Sequence, residues 1–206
     1  MSPQSVASQR GAVLLLVLLV VASLAATVAG LSVLVDTERT LTAVSRESAE
    51  YRYAAEGIAA FAAGDLAQRP DWSPVLSGGV ASAFTDATRS PVLARPAGLD
   101  LDHRAAGFSS VETGAWGLDE PRWILYAWGP AQRLTPALEG TRTYVAAWVA
   151  DDERDGDHDP QADVNGRLWI RAEAFGLVRG QRTVIVQIQR VAPAPKPLRI
   201  LDWRFP

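Results

Sequence analysis

The chain has 206 residues, of which 48% are hydrophobic, 21% charged and 8% aromatic, and its formal net charge is −3. That length admits one ordinary domain, or one domain plus an appendage, and the mixture excludes a collagen-like or wholly disordered chain. The small net charge argues against a nucleic-acid partner, and the absence of cysteine excludes disulfides, thiol catalysis and cysteine-ligated metals.

The apolar residues are unevenly spread. Residues 12–35 carry no charge: 15 of the 24 are Leu or Val, and only Ser23, Thr27 and Ser32 are polar. As a helix the run is about 36 Å long, against a hydrocarbon core about 30 Å thick. Its Leu and Val residues contribute roughly −5 to −9 kcal/mol to membrane insertion. The rest of the chain is too short to enclose such a helix in protein. Arg10 precedes the run, and Asp36 and Glu38 follow it. The positive-inside tendency therefore predicts residues 1–11 in the cytoplasm and the remainder outside. A cleaved secretory signal is the competing reading, but its apolar region spans only about 7–15 residues before a small-residue cut site. Here the small residues that would mark such a site, around Ala25 and Ala29, lie inside the run.

No proline occurs between Pro3 and Pro70, and the polar stretch after Val35 keeps an apolar stripe at Leu41, Val44, Ser48, Tyr51, Ala55, Ile58 and Ala62. Steps of three and four mark one face of a helix. The spacing predicts a single helix over 12–63, transmembrane over 12–35 and amphipathic over 36–63, with Gly64 and Pro70 as stop signals. Ala22, Ala26 and Gly30 form a small-xxx-small edge suited to close helix contact. Residues 64–120 are rich in Gly and Pro and read as loops with short irregular elements.

From residue 122 the period changes toward two. Strands are predicted over 123–128, 141–150, 167–175, 182–191 and 198–205. Leu168, Ile170, Ala172 and Ala174 alternate with Trp169, Arg171 and Glu173. That alternation suits an antiparallel sheet with one covered and one wet face, the amphipathic helix being the cover. The fold class is therefore α+β, with a globular unit over 64–206 whose sheet lies mainly in 122–206.

Between the second and third strands, residues 151–163 hold seven acids and one arginine. Such a segment is expected to stay out of the core, either solvated or holding a cation. Asp155, Asp157, Asp159, Asp163 and Asn165 offer the hard oxygen ligands that calcium takes. The match to an EF-hand loop fails, because Pro160 stands where its glycine is needed and Gly166 where its bidentate glutamate belongs. The alternative is a solvated turn signalled by Asn165-Gly166. No cofactor is required by this reading, and calcium is the candidate.

At the N-terminus, Gln9-Arg10-Gly11, one small residue, an uninterrupted apolar run and an amphipathic helix together resemble the class III leader of type IV pilins. Tyr53-Ala54-Ala55-Glu56-Gly57-Ile58 is similar to the AAE(A/S)G stretch of PilX-like minor pilins. The resemblance covers 1–63 by motif and 122–206 by its helix-plus-sheet layout. It implies that a prepilin peptidase cuts after Gly11 and methylates Ala12, leaving 1–11 as a cytoplasmic leader. It also implies subunit contacts through Leu16, Ala22, Ala26, Gly30 and Glu56, with other minor and major pilins and a tip adhesin as partners. Leu16 would be the fifth mature residue, where major pilins carry a glutamate thought to pair with a neighbour's terminal amine. A buried amine left unpaired is costly, so the departure implies a priming or tip subunit rather than a shaft subunit. Such a protein would start in the inner membrane with a periplasmic C-terminal domain and end at the pilus tip or cell surface. A minor pseudopilin of type II secretion and an uncleaved single-pass envelope protein that binds a ligand are the alternatives.

Catalytic patterns are weak. His103 and His158 show no paired spacing for zinc, Ser109 and Ser110 are loop residues in ordinary company, and neither a Walker A string nor a G-x-S-x-G elbow occurs. The expected work is binding, not catalysis.

Overall fold

The computed structural model describes residues 4–92, 98–108, 122–157, 159–176, 180–191 and 198–206, with the backbone alone over 4–12. The chain divides into two compact units, Met1–Arg46 and Glu47–Pro206. Helix α1, Gln4–Ala67, begins in the first and ends in the second. It starts earlier than the predicted position 12, because nothing between Pro3 and Gly11 breaks a helix. It also passes Gly64 and stops three residues short of Pro70, whose ring disfavours helical backbone just before it.

In the first unit every described side chain from Val13 to Arg46 is exposed. The three hydroxyls of the apolar run turn back onto their own helix. Ser23 donates to the Leu19 carbonyl (2.8 Å), Thr27 to that of Ser23 (2.8 Å) and Ser32 to that of Val28 (3.0 Å). Each polar group is thus satisfied locally, which is what hydrocarbon surroundings demand. This is a helix long and apolar enough to cross a membrane.

The second unit is α+β. Five strands, β1 Ile124–Pro130, β2 Tyr144–Asp151, β3 Arg167–Phe175, β4 Gln181–Arg190 and β5 Leu198–Arg204, pair antiparallel in chain order. The long β2–β3–β4 ladder is in unbroken register, with Ala147 opposite Ala172 and Ala172 opposite Val184. The last turns of α1 pack on one face: Tyr51, Ala54, Ala55, Ile58, Ala59, Ala62 and Leu66 are buried against Val145, Ala147, Val149, Ile170 and Val186. Ile58 and Leu66 are fully buried in this cluster, among small alanines of the same helix face. The predicted stripe is correct from Tyr51 onward. Leu41 and Val44, assigned to the same buried stripe, are instead 62% and 58% exposed and belong to the first unit.

The expectation of a wet second face is overturned. Trp169, Arg171 and Glu173 are all buried, as are Tyr144, Ala146 and Trp148 on the same side. The cover comes from residues 98–108, which contain the short helix α3, Leu101–Ala106. Its N-cap Asp100 accepts from the backbone N–H groups of Asp102 (2.9 Å) and His103 (3.0 Å). Leu101 is fully buried, and its carbonyl accepts the Trp148 indole N–H at 3.2 Å. Phe108 packs edge-on against Trp148 and Trp123. Glu173, expected in water, is fully buried but paired with Arg171 (2.7 Å) and Arg104. The polar alternation of β3 therefore encodes an internal ion cluster, where each charge has a partner to offset its desolvation.

Candidate functional site

The positions predicted for subunit contact fall in two settings. Leu16, Ala22, Ala26 and Gly30 lie on the exposed apolar part of α1, and among the described residues no other part of the chain comes within 4 Å of where a Gly30 Cβ would stand. Glu56 lies in the second unit, where it accepts from the Arg52 guanidinium at 2.9 Å, and Arg52 in turn sits 4.5 Å from the Phe205 ring centre. The backbone of Gly11 and Ala12 is helical, and their side chains lie outside the described residues, as do His158, Ser109 and Ser110.

The acidic connection between β2 and β3 departs most from expectation. Its charge predicts a segment outside the core, yet Asp151 and Asp152 are fully buried and Asp155 is 5% exposed. Asp151 is the last residue of β2 and pairs with Leu168. Strand alternation places it on the helix-covered face, in line with Val145, Ala147 and Val149. The loop is then held by its own carboxylates. Asp155 Oδ2 accepts from the N–H groups of Val164 (2.8 Å) and Asn165 (3.2 Å), and Asp163 Oδ1 accepts from Gly166 (2.7 Å). Asn165 Oδ1 accepts from the Arg167 N–H at 2.8 Å, and Asp159 Oδ1 from that of Gln161 at 3.0 Å. Gly166 takes φ +70°, but β2 and β3 are joined by the whole of residues 152–166, so Asn165-Gly166 closes the last bend of a long connection and is not the tight turn between strands that the sequence predicts. The Asp163 N–H donates to Ser73 Oγ at 3.2 Å, which anchors the loop to α2, Ser73–Leu76.

These bonds separate the five predicted cation ligands. Asp159 and Asn165 cap backbone N–H groups, and Asp163 caps Gly166 while facing Arg190 at 3.6 Å. Asp155 and Asp157 stay together, and the structure adds Asp151: one carboxylate oxygen from each of the three lies within 4.8 Å of the others. Among the described residues, neither oxygen of Asp151 has a hydrogen-bond partner, nor do Oδ1 of Asp155 and Oδ2 of Asp152. Burial pushes the Asp151 carboxyl up to about 8; the backbone N–H of Asp152 opposes the shift, and the charges of Asp155, Asp163 and Asp152 add to it. Burial likewise raises Asp163, although Gly166 and Arg190 oppose the shift. Asp151 escaped the sequence reading because its strand was ended at Ala150. Carrying the two-residue alternation one step further would have put it beneath the helix.

A second concavity, of about 400 Å³, is lined by Glu47, Glu50, Tyr51 and residues 140–143. Its acids are already engaged: Glu50 accepts from Thr143 Oγ1 at 2.7 Å and Glu47 from the Tyr51 hydroxyl.

No protein-family model, curated protein or solved structure matches the chain.

Proposed function

We propose that this protein is a minor pilin that takes part in type IV pilus assembly as a priming or tip-complex subunit. One observation carries the reading. A single helix pairs an apolar stretch that is exposed among the described residues to a closing stretch that packs on an antiparallel sheet. Apolar area of that extent requires lipid, or other apolar helices replacing lipid. A subunit that passes from membrane to filament core meets both conditions in turn. The leader-like Gln9-Arg10-Gly11 stands directly before the apolar stretch, where a cut would leave the helix intact.

In this function the chain is held in the inner membrane with its sheet unit in the periplasm, and the prepilin peptidase removes residues 1–11. Other pilins then contact the mature helix along Leu16, Ala22, Ala26 and Gly30, with Glu56 contributing from the sheet unit. A tip adhesin is a partner for the sheet unit. Leu16 in place of an acid suits a subunit with no neighbour above it.

The test is the mass of the N-terminal peptide from cells with and without a prepilin peptidase. The expected result is loss of residues 1–11 and a methyl group on Ala12, only when the enzyme is present. An intact N-terminus beside active peptidase would overturn the pilin reading and leave an anchored envelope domain.

A further inference from the structure

We propose that Asp151, Asp155 and Asp157 form a binding site for one divalent cation of the calcium class, built into the end of β2. The inference does not rest on the assembly reading, since it concerns only residues of the sheet unit. Three observations meet at this point. One carboxylate oxygen from each residue lies within 4.8 Å of the other two. Calcium binds oxygens at about 2.3–2.6 Å, so its ligands span up to about 5 Å, which takes in that whole range. Magnesium, at about 2.0–2.1 Å, accepts only the tighter part of it.

The second observation distinguishes this group from an ordinary acidic surface. Asp151 is fully buried, and neither of its oxygens forms a hydrogen bond of ordinary geometry among the described residues; the backbone N–H of Asp152 beside it is a weak donor that favours the charged form. Folding normally gives a buried carboxylate at least one donor. Asp155 shows the same pattern by halves. Its Oδ2 is taken by two backbone N–H groups, which orient the carboxylate, while its buried Oδ1 is left without a donor. One oxygen positions the side chain and the other is available to a ligand.

The third observation is the arrangement from inside to outside. Asp151 forms the floor at the end of a strand, Asp155 the wall and exposed Asp157 the rim, so a hydrated ion has a route in from solvent. Asp157 Oδ1 accepts from the Asp159 N–H at 3.1 Å, which steadies the rim. Asp159, Asp163 and Asn165 hold the loop backbone and serve as positioning residues. Bound metal would tie the acidic connection to the sheet at the point where it leaves the core.

The experiment is isothermal titration of the full-length protein in detergent micelles with calcium chloride, beside thermal unfolding with and without calcium. One equivalent should bind, with a dissociation constant between about 10⁻⁵ and 10⁻³ M and magnesium at least about tenfold weaker. Asp151→Asn and Asp157→Asn should each weaken binding at least about tenfold, and calcium should raise the unfolding temperature of the parent protein but not of Asp151→Asn. Asp159→Asn should stay within about twofold of the parent, since that side chain only caps the backbone. If Asp151→Asn does not fold, Asp157→Asn at the exposed rim decides, and unchanged affinity there overturns the site. No calcium heat up to about 10 mM would also overturn it. So would equal affinity for magnesium, or an Asp159→Asn loss as large as that of Asp157→Asn.

Discussion

Tyr51 lies beside Gly176 and Gly180, which flank residues 177–179 of the β3–β4 connection. Its ring is 4% exposed and lies against the backbone of Gly176 and Gly180, which are joined by an N–H to carbonyl bond of 2.9 Å. A Cβ on Gly176 would stand 1.8 Å from the Tyr51 ring, and one on Gly180 1.6 Å from it. The glycines are there for close approach, not for unusual backbone angles. Gly180→Ala should therefore destabilise the sheet unit by about 1–3 kcal/mol through overpacking. Thermal unfolding followed by circular dichroism checks it, and adding Tyr51→Ala should recover part of the loss through direct coupling. An unchanged melting temperature would mean that the ring does not occupy this position. Nothing in the sequence marks these two glycines apart from the other fourteen, because the clash arises from a side chain more than 120 residues away.

At the scale of elements, α1 has two environments. Ile58 is fully buried on the sheet, whereas Leu41 is 62% exposed. Ile58→Ala should cost about 2–5 kcal/mol by opening a cavity in the core. Leu41→Ala should change the stability of the sheet unit by no more than about 0.5 kcal/mol. Chemical denaturation of the two variants gives the contrast, and equal losses would place Leu41 in the same core. Helical spacing predicted both residues on one stripe, since a period describes a face and carries no information on where the opposing surface ends. The second cover of the sheet was hidden for a related reason. Trp169, Arg171 and Glu173 read as a polar face, but Arg104 arrives from α3 to complete the ion cluster around Glu173. A buried charge with its partners has the same sequence signature as a solvated one.

For the whole molecule the decisive property is the apolar surface over residues 13–35. Leu24 lies near the middle of that stretch and is 62% exposed. Arginine there should oppose insertion by about 2.5–3.5 kcal/mol. Leu24→Arg is expected to lower the fraction of the chain that resists carbonate extraction from membranes, while Leu41→Arg should leave it unchanged. Equal extraction of Leu24→Arg and the parent would remove the membrane anchor.

The extended apolar run, the single long helix and the five antiparallel strands were all determined by the sequence. Each follows from composition or from a period of 3.6 or two within one segment, and local backbone geometry converts those patterns directly into elements. What only the tertiary structure decided depends on partners distant in the chain: the cover on the second face, the buried pairing of Glu173, and the ring of Tyr51 between two glycines. The acidic loop divides between the two. Its charge and its oxygen ligands were plain from the residues, and Asp155 and Asp157 belonged to the predicted set. Which carboxylates are used up by the loop's own backbone, and that Asp151 is buried without a hydrogen bond of ordinary geometry among the described residues, emerged only when the strand met its neighbours, because hydrogen bonding and burial are properties of packed surfaces and not of a segment alone.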